Sequence, residues 1–243
     1  MNVPAAKRRL AILAFHSVGE SSVRDWNTWF YIPEATFTEQ LQHLRTRGWH
    51  TISHIQLLQG LAHPDTLDER TVLLTFDDGY RSMVDVALPI LESFGYPAVL
   101  FVPTAFIGGY NSFEPEGWAP KEVICDWEEL QELERRGVSV QSHGVSHRPF
   151  SDLSTPELVA ELERSKAVLE DGLGKAVDLL SYPYGDAGTD SEKTRQLAKD
   201  FGYAAACLYG GGPFHLPPNN QYRLERVAMG PDTDLRRELE APA

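Results

Sequence analysis

Two adjacent carboxylates, Asp77 and Asp78, follow the apolar run 71–76 and precede Gly79. The run is typical of a short buried strand, and the glycine permits a sharp turn at its end. Two neighbouring carboxylates repel each other unless a cation or a shared proton offsets the repulsion. The pair therefore indicates either a cation site or a solvent-exposed Asp-Gly turn, which is a common kind of turn.

Two histidines four residues apart, His143 and His147, follow a second predicted strand, residues 138–142. On a helical turn, residues i and i+4 share a face, so both imidazoles can point at one ion. Such a pair by itself is more often a surface feature than a metal site. Together with one aspartate it would form a two-histidine, one-carboxylate set, which binds Zn²⁺, Fe²⁺ or a similar ion and leaves positions open for water and substrate.

The polar clusters share one position relative to the predicted strands, because each comes just after a strand ends. They are His16, the pair Asp77 and Asp78, the pair His143 and His147, and Tyr184. Strands and helices alternate along the chain, which is typical of parallel βαβ units. About seven or eight such units predict an α/β fold, a distorted and nearly closed (β/α) barrel, with an open doubly wound sheet as the alternative. In a barrel the active site lies at the C-terminal ends of the strands, where these residues would meet.

The length and composition predict one globular domain over residues 1–243, with 42% apolar and 23% charged residues. A formal net charge of -13 argues against a nucleic-acid partner, which requires a basic surface, and against docking on anionic lipids. Cys125 and Cys207 have no Cys or His close in sequence, which excludes a disulfide framework and a zinc-finger pattern.

No apolar stretch approaches the ~20 residues of a membrane helix, so no membrane span is expected. The basic N-terminal run is followed by about six apolar residues, 10–15, which is too few for a signal-peptide core. As written, the sequence predicts a cytoplasmic protein. Removal of a leader segment would make an extracellular or periplasmic location the alternative.

Three segments in this order and spacing resemble the first three motifs of the polysaccharide deacetylase family (NodB homology, carbohydrate esterase family 4). They are residues 75–79 (Thr-Phe-Asp-Asp-Gly), 143–147 (His-Gly-Val-Ser-His) and 182–185 (Tyr-Pro-Tyr-Gly). The resemblance extends from about His16 to about Val227, and the family fold is a distorted (β/α) barrel. The segment 15–18 (Phe-His-Ser-Val) resembles the Tyr-His-x-Val start of the subgroup that deacetylates poly-β-1,6-N-acetylglucosamine.

The resemblance implies that Asp78, His143 and His147 bind a divalent ion, Zn²⁺ before Co²⁺ or Ni²⁺. It also implies that Asp77 is the catalytic base. The resemblance further implies that the backbone N–H of Tyr184 helps to hold the tetrahedral oxyanion. Tyr184 would also contact the substrate.

The sequence departs from the family pattern where an arginine usually tethers the catalytic aspartate, because Ser181 occupies that position. Asp126 and Trp127 resemble the Asp-Trp motif that partners this arginine, so we expect both near the substrate. Asp126 as a plain helix cap is an equal alternative. Arg226 resembles a recurrent arginine of the poly-N-acetylglucosamine subgroup and is a candidate to orient a site residue or bind substrate, with an ordinary ion pair as the alternative.

The family's late Leu-x-His motif, the usual source of the general acid, is not evident. His16 is the preferred acid because the matching histidine of the subgroup has this role, and His215 is the second candidate. The leading hypothesis is a metal-dependent hydrolase that removes N-acetyl or O-acetyl groups from a glycan such as poly-N-acetylglucosamine or a related glycoconjugate. The alternatives are a C–N hydrolase acting on a small cytoplasmic or lipid-linked substrate, and a catalytically weak carbohydrate-binding protein.

Overall fold

The computed structural model describes residues 8–21, 28–115 and 119–240. Strands and helices alternate through these ranges, as the sequence predicts. The strands are β1 (Arg9–Phe15), β2 (Ser17–Val18), β3 (Tyr31–Ile32), β4 (His50–Thr51), β5 (Arg70–Phe76), β6 (Ala98–Val102), β7 (Val138–Ser142), β8 (Leu179–Ser181), β9 (Ala205–Cys207), β10 (Phe214–His215) and β11 (Val227–Ala228). The helices are α1 (Glu34–Thr46), α2 (His54–Ala62), α3 (Leu88–Phe94), α4 (Trp127–Arg135), α5 (Thr155–Leu173), α6 (Ser191–Asp200) and α7 (Leu235–Glu240).

The main sheet has the strand order β10-β1-β5-β6-β7-β8-β9, with β4 paired to β5 and β11 paired to β1. Strands β1, β5, β6, β7, β8 and β9 run parallel, and β10 is antiparallel to β1. Residues of β5, β6 and β7 are buried almost without interruption. Continuous burial is typical of parallel strands that are covered on both faces.

A segment late in the chain curls this sheet back on itself. The Leu224 N–H donates to the Ala206 carbonyl and the Leu208 N–H donates to the Leu224 carbonyl, which attaches the segment to β9. A few residues later, β11 pairs in parallel with β1, with Val227 opposite Leu13. The segment therefore joins β9 to β1. The predicted distorted (β/α) barrel is confirmed, and the open doubly wound alternative is wrong.

The strand residues divide between two hydrophobic clusters. One cluster contains Leu10, Ile12, Leu73, Phe101 and Leu179, and the other takes the alternate strand residues together with helix residues. Successive side chains of a strand point to opposite faces, so the first cluster fills the inside of the curled sheet and the second packs under the helices. None of the helices in the described ranges is both long and apolar enough to cross a membrane.

Candidate active site

One pocket of about 350 Å³ opens where the parallel strands end. It is lined by the residues that follow β1, β5, β7 and β8, namely His16, Asp77, Asp78, His143, His147 and Tyr184. The parallel direction of these strands brings their C-terminal ends to one edge, which is where the residue pattern predicts a site.

The turn after β5 lets neighbouring carboxylates share this pocket. On an extended strand, Asp77 and Asp78 would point to opposite faces. Asp78 has φ 71° and Gly79 has φ 74°, so the backbone leaves the strand in the left-handed region. A residue other than glycine with positive φ is uncommon, and such backbone strain is often found at functional sites.

Asp78, His143 and His147 form a compact set of possible metal ligands. Asp78 Oδ1 lies 3.0 Å from His147 Nε2 and 3.4 Å from His143 Nε2. Ligands about 2.1 Å from one tetrahedral ion are separated by roughly 3.4 Å, so these distances suit a shared ion. All three side chains are buried, and the ligand atoms of the set lie within 4.8 Å of one another.

The protonation pattern of His143 also fits a ligand role. Its Nδ1 lies 2.7 Å from the Ser181 carbonyl oxygen, which can only accept a hydrogen bond. Nδ1 therefore carries the proton, and the Nε2 lone pair faces Asp78. Asp78 Oδ1 is buried without a hydrogen-bond partner in the described part of the chain. A carboxylate oxygen facing imidazole nitrogens in this way fits a divalent cation with nitrogen and oxygen ligands.

Asp77 is held by a buried arginine. The Arg226 Nη1 and Nη2 atoms each donate to one carboxylate oxygen of Asp77 at 2.7 Å. The guanidinium is fully buried, and its other donors reach the hydroxyl oxygens of Thr75 and Ser181 and the carbonyl oxygen of Leu208. All five N–H groups of Arg226 are thus used by the protein.

The charge of this arginine decides the ionisation of Asp77. Burial alone would raise the pKa of Asp77, but the Arg226 guanidinium, with a further contribution from His143, holds that pKa below its usual value. Asp77 is therefore a carboxylate at neutral pH. Arg226 lies 149 positions after Asp77 in the sequence. It makes the contact that the family pattern gives to an arginine at position 181, where this chain has Ser181. As a substrate-binding residue the Arg226 prediction is wrong, because the buried side chain does not line the pocket.

His16 lines the pocket between two aromatic rings, one of which, Tyr209, lies 5.9 Å from the Arg226 guanidinium that holds Asp77. Its ring centroid is 4.8 Å from that of Phe30 and 5.4 Å from that of Tyr209. Burial lowers the pKa of His16, against the opposing charges of Asp78 and Asp77. Its Nδ1 is buried and finds no hydrogen-bond partner among residues 8–21, 28–115 and 119–240.

Tyr184 forms an exposed part of the wall. It has φ 57°, and its ring centroid lies 4.7 Å from that of His147. The following residue must be a glycine here, because Gly185 has φ 71° and a Cβ would lie 2.5 Å from the backbone N of Tyr209. This close approach fixes the turn that carries Tyr184.

Besides Arg226, three of the predicted site residues do not line the pocket: His215, Asp126 and Trp127. His215 is exposed on β10 opposite Arg9, at the end of β1 that is remote from His16, roughly 20 Å away at 3.3 Å per residue. It cannot protonate a leaving group in the pocket, so its prediction as an acid is wrong.

Asp126 and Trp127, predicted as substrate contacts, do not line the pocket, and Asp126 takes the alternative role of a helix cap. Asp126 caps α4 by accepting from the Glu129 N–H at 2.9 Å, while the Glu129 carboxylate accepts from the Asp126 N–H. Trp127 packs on α5, where a Cβ at Gly172 would lie 2.2 Å from its ring. Both residues serve the α4 region of the fold.

Sequence reasoning missed several residues that line the pocket, and Tyr209 and Glu114 are the two with a buried polar atom that lacks a partner in the described ranges. Tyr209 follows β9 at the same edge as the others, a position that could have indicated it, and its buried hydroxyl has no partner in the part of the chain described. Glu114 comes from the long connection between β6 and α4 and has no local sequence signal.

The chain is similar to known polysaccharide deacetylases over most of its length. A family model described as polysaccharide deacetylase matches residues 64–206, more than half of the chain. The Bacillus subtilis protein YxkH, whose name places it among the polysaccharide deacetylases, is 25% identical over 92% of this chain and 72% of its own length. The poly-β-1,6-N-acetyl-D-glucosamine N-deacetylase of Staphylococcus aureus is 24% identical over 84% of this chain and 69% of that protein.

The match to the Escherichia coli protein of the same name spans only 16% of that protein. Among solved structures, the Streptococcus pyogenes deacetylase PplD in complex with acetate has a TM-score of 0.82. It is 23% identical, with 97% of this chain and all of that chain covered, and it supports the fold.

The small-substrate and binding-protein alternatives are not favoured by these relatives, and the Asp-His-His set fits the metal dependence of the family. The chain belongs to the polysaccharide deacetylase family, as a hydrolase of the carbohydrate esterase family 4 type.

Proposed function

We propose that this chain hydrolyses the N-acetyl groups of an N-acetylglucosamine glycan, with the β-1,6-linked polymer as the first candidate substrate. One observation supports this proposal most directly. Arg226 holds the Asp77 carboxylate beside the set of Asp78, His143 and His147, in the same pocket. The names of the S. aureus and E. coli relatives support the substrate class.

Asp78, His143 and His147 would hold one divalent ion, with Zn²⁺ as the first candidate and Co²⁺ or Ni²⁺ as alternatives. When bound, such an ion polarises the acyl carbonyl and lowers the pKa of a water molecule. Asp77 is the general base, because it is ionised at neutral pH and Arg226 fixes the direction of its carboxylate. It accepts a proton from the attacking water while a C–O bond forms at the acyl carbon.

The C–N bond then breaks, and the leaving nitrogen needs a proton because an amide anion is too poor a leaving group. His16 is the proposed proton carrier, since it lines the pocket and packs on Tyr209, next to the Arg226 guanidinium that holds Asp77. The backbone N–H of Tyr184 would help to hold the oxyanion. The products are acetate and the free amine.

The proposal is tested by measuring acetate release from β-1,6-linked and β-1,4-linked N-acetylglucosamine oligomers. The protein is first depleted of metal and then given Zn²⁺, Co²⁺ or Ni²⁺, and Asp77→Asn serves as the blank. Metal-dependent acetate release that the blank lacks is the expected result, with the β-1,6-linked oligomers preferred.

Two outcomes would overturn the proposal. Release of acetate by metal-depleted protein at the full rate would remove the ion from the reaction. Binding of metal without acetate release from any oligomer would exclude this substrate class.

A further inference from the structure

Glu114 is a pocket residue to which the proposed reaction gives no role. It lines the same pocket as the possible metal ligands and is half buried. Its Oε2 atom is buried and has no hydrogen-bond partner among the residues that the structure describes. Buried polar atoms are almost always paired in folded proteins, and the described residues leave acceptor capacity of this pocket-lining carboxylate unused. A ligand in the pocket that donates a hydrogen bond to the Glu114 carboxylate would use it.

The backbone at Glu114 is held firmly in place. Its N–H donates to the Asn111 carbonyl at 3.0 Å, and the Asn111 side chain bonds the Pro120 carbonyl and the Glu122 N–H across the loop. The neighbouring Phe113 ring packs 4.2 Å from the His147 ring. The backbone that carries Glu114 is therefore fixed before any ligand arrives, which favours a binding role over that of a mobile surface acid.

The ring contacts next to Glu114 place it on the His147 and Tyr184 side of the pocket, because the rings of Phe113 and Tyr184 both pack on His147. Burial and the charge of Asp78 raise the pKa of Glu114, and His147 opposes them. Burial and then the charge of Glu114 raise the pKa of Tyr184 to about 12. On the other side of the pocket, Arg226 bonds Asp77, and its guanidinium lies 5.9 Å from the Tyr209 ring, which packs 5.4 Å from the His16 ring.

We propose that Glu114 is a substrate-binding residue whose carboxylate accepts a hydrogen bond from a ring hydroxyl of the sugar that carries the acetamido group. This inference rests on the proposed function. An N-acetylated sugar offers two kinds of donor, its hydroxyls and its amide N–H. The amide nitrogen must face the Asp77 and His16 side to receive its proton, which leaves the hydroxyls for Glu114. A hydrogen bond to a charged acceptor is stronger than one between neutral groups, so this contact would select for the sugar.

Selectivity for the sugar can be separated from the chemical step by two substrates. We compare kcat/KM for an N-acetylglucosamine oligomer with kcat/KM for an aryl acetate ester that has no sugar hydroxyl. Glu114→Ala should lower the ratio of kcat/KM for the oligomer to kcat/KM for the ester by about tenfold or more. Only the oligomer has a hydroxyl that bonds Glu114, so only the oligomer loses a hydrogen bond in this variant. Glu114→Gln retains an acceptor oxygen and should restore part of the ratio. Glu128→Gln, which removes the same charge at an exposed position of α4, should leave the ratio unchanged.

A binding measurement keeps the inference testable without turnover. Calorimetric titration of an N-acetylglucosamine tetrasaccharide into Asp77→Asn is compared with titration into the Asp77→Asn, Glu114→Ala double variant. The second variant should bind about tenfold more weakly. Equal affinities, or an equal loss of kcat/KM for both substrates, would overturn the role of Glu114. Tetrasaccharide binding that depends on Glu114, in a protein that releases no acetate, would instead overturn the proposed function alone.

Discussion

At the scale of single residues, the pair of Asp77 and Arg226 combines stability with the proposed chemistry. Both side chains are buried, and Arg226 is the largest fully buried side chain among the described residues. Replacing Arg226 by Met would leave Asp77 as an unpaired buried carboxylate. We expect a loss of about 3–5 kcal/mol in the free energy of unfolding, measured by urea titration.

The double variant Asp77→Asn, Arg226→Met supplies the control for this expectation. It removes both charges, so it should be more stable than Arg226→Met alone while remaining inactive. If the loss of stability in the double variant equalled the sum of the losses in Asp77→Asn and Arg226→Met, the pairing would be contradicted. Arg226→Lys keeps the charge without the two-pronged geometry and should also lose activity, because one ammonium cannot hold both carboxylate oxygens in the same way.

The site residues that sequence reasoning located share a local signal. Asp77, Asp78, His16, His143, His147 and Tyr184 each follow a predicted strand, and parallel strands end at one edge. Arg226 was named as a candidate, but its contact with Asp77 spans 149 positions of sequence and depends on how the sheet curls. Glu114 resembles any loop acid in sequence, because its partial burial results from the path of the long connection between β6 and α4.

At the scale of elements, the loop 143–147 depends on helix α5. The buried Glu161 carboxylate of α5 accepts hydrogen bonds from the Val145 N–H and from the Ser146 N–H and hydroxyl. A Cβ added at Gly144 would lie 2.9 Å from the Glu161 Oε2 atom, so the loop backbone passes close to this carboxylate. Glu161 therefore fixes the backbone between the two histidines that face Asp78.

Glu161→Ala should weaken metal binding by about 10–100-fold, as is typical when a group that supports metal ligands is removed. The measurement is competitive titration of Zn²⁺ or Co²⁺ against a chelator. Glu163→Ala on the exposed face of the same helix is the matched control and should leave the affinity unchanged. An unchanged affinity in Glu161→Ala would show that the loop holds its shape without the carboxylate.

The packing of α4 on α5 gives a second prediction at this scale. Gly172 lies inside α5, where alanine would ordinarily stabilise a helix by about 0.5–1 kcal/mol. The Trp127 ring leaves no room for the added methyl group, so we expect Gly172→Ala to lower the free energy of unfolding by about 1–3 kcal/mol. The neighbouring exposed Asp171→Ala is the control in chemical denaturation. A stabilised Gly172→Ala protein would contradict the packing role assigned to Trp127.

The elements with long apolar runs could be predicted from sequence, and the shortest ones could not. Strand β5 is a seven-residue run that is almost fully buried, so its pattern is unmistakable. Strand β10 has two residues, and too few positions are available for a pattern. The failure to predict β10 explains the error at His215, whose place in the fold is set by antiparallel pairing with β1.

At the scale of the whole molecule, closing the sheet also builds the site. The segment that joins β9 to β1 carries Arg226 between its two attachments, Leu224 and Val227. These two attachments hold the segment where the Arg226 guanidinium bonds Asp77. The alternation of strands and helices predicts a barrel, but it contains no information about which residue of this segment turns inward.

Acid should weaken the folded protein through a histidine remote from the site, His54 at the start of α2. Burial, with a smaller effect from the charge of Lys175, lowers the pKa of His54 to about 4, against the opposing charge of Asp178. The unfolded chain has the ordinary histidine pKa of about 6.5. As the pH falls from about 6.5 to 4, the unfolded state therefore takes up a proton that the folded state does not, and the free energy of unfolding decreases. Below pH 4 both states are protonated and this contribution ceases to change.

Replacing His54 by Gln removes this source of acid sensitivity. Urea unfolding at pH 7 and pH 4.5 should show a smaller loss of stability in His54→Gln than in the wild type, because the remaining titrating groups are common to both proteins. His63→Gln, which removes an exposed histidine just beyond the same helix, tests whether the effect belongs to His54. Equal losses in the wild type and His54→Gln would mean that the folded chain protonates this imidazole as readily as the unfolded chain does. The acid sensitivity of the fold would then have to come from its carboxylates, with Asp77 first among them, because protonation removes the charge that pairs with Arg226.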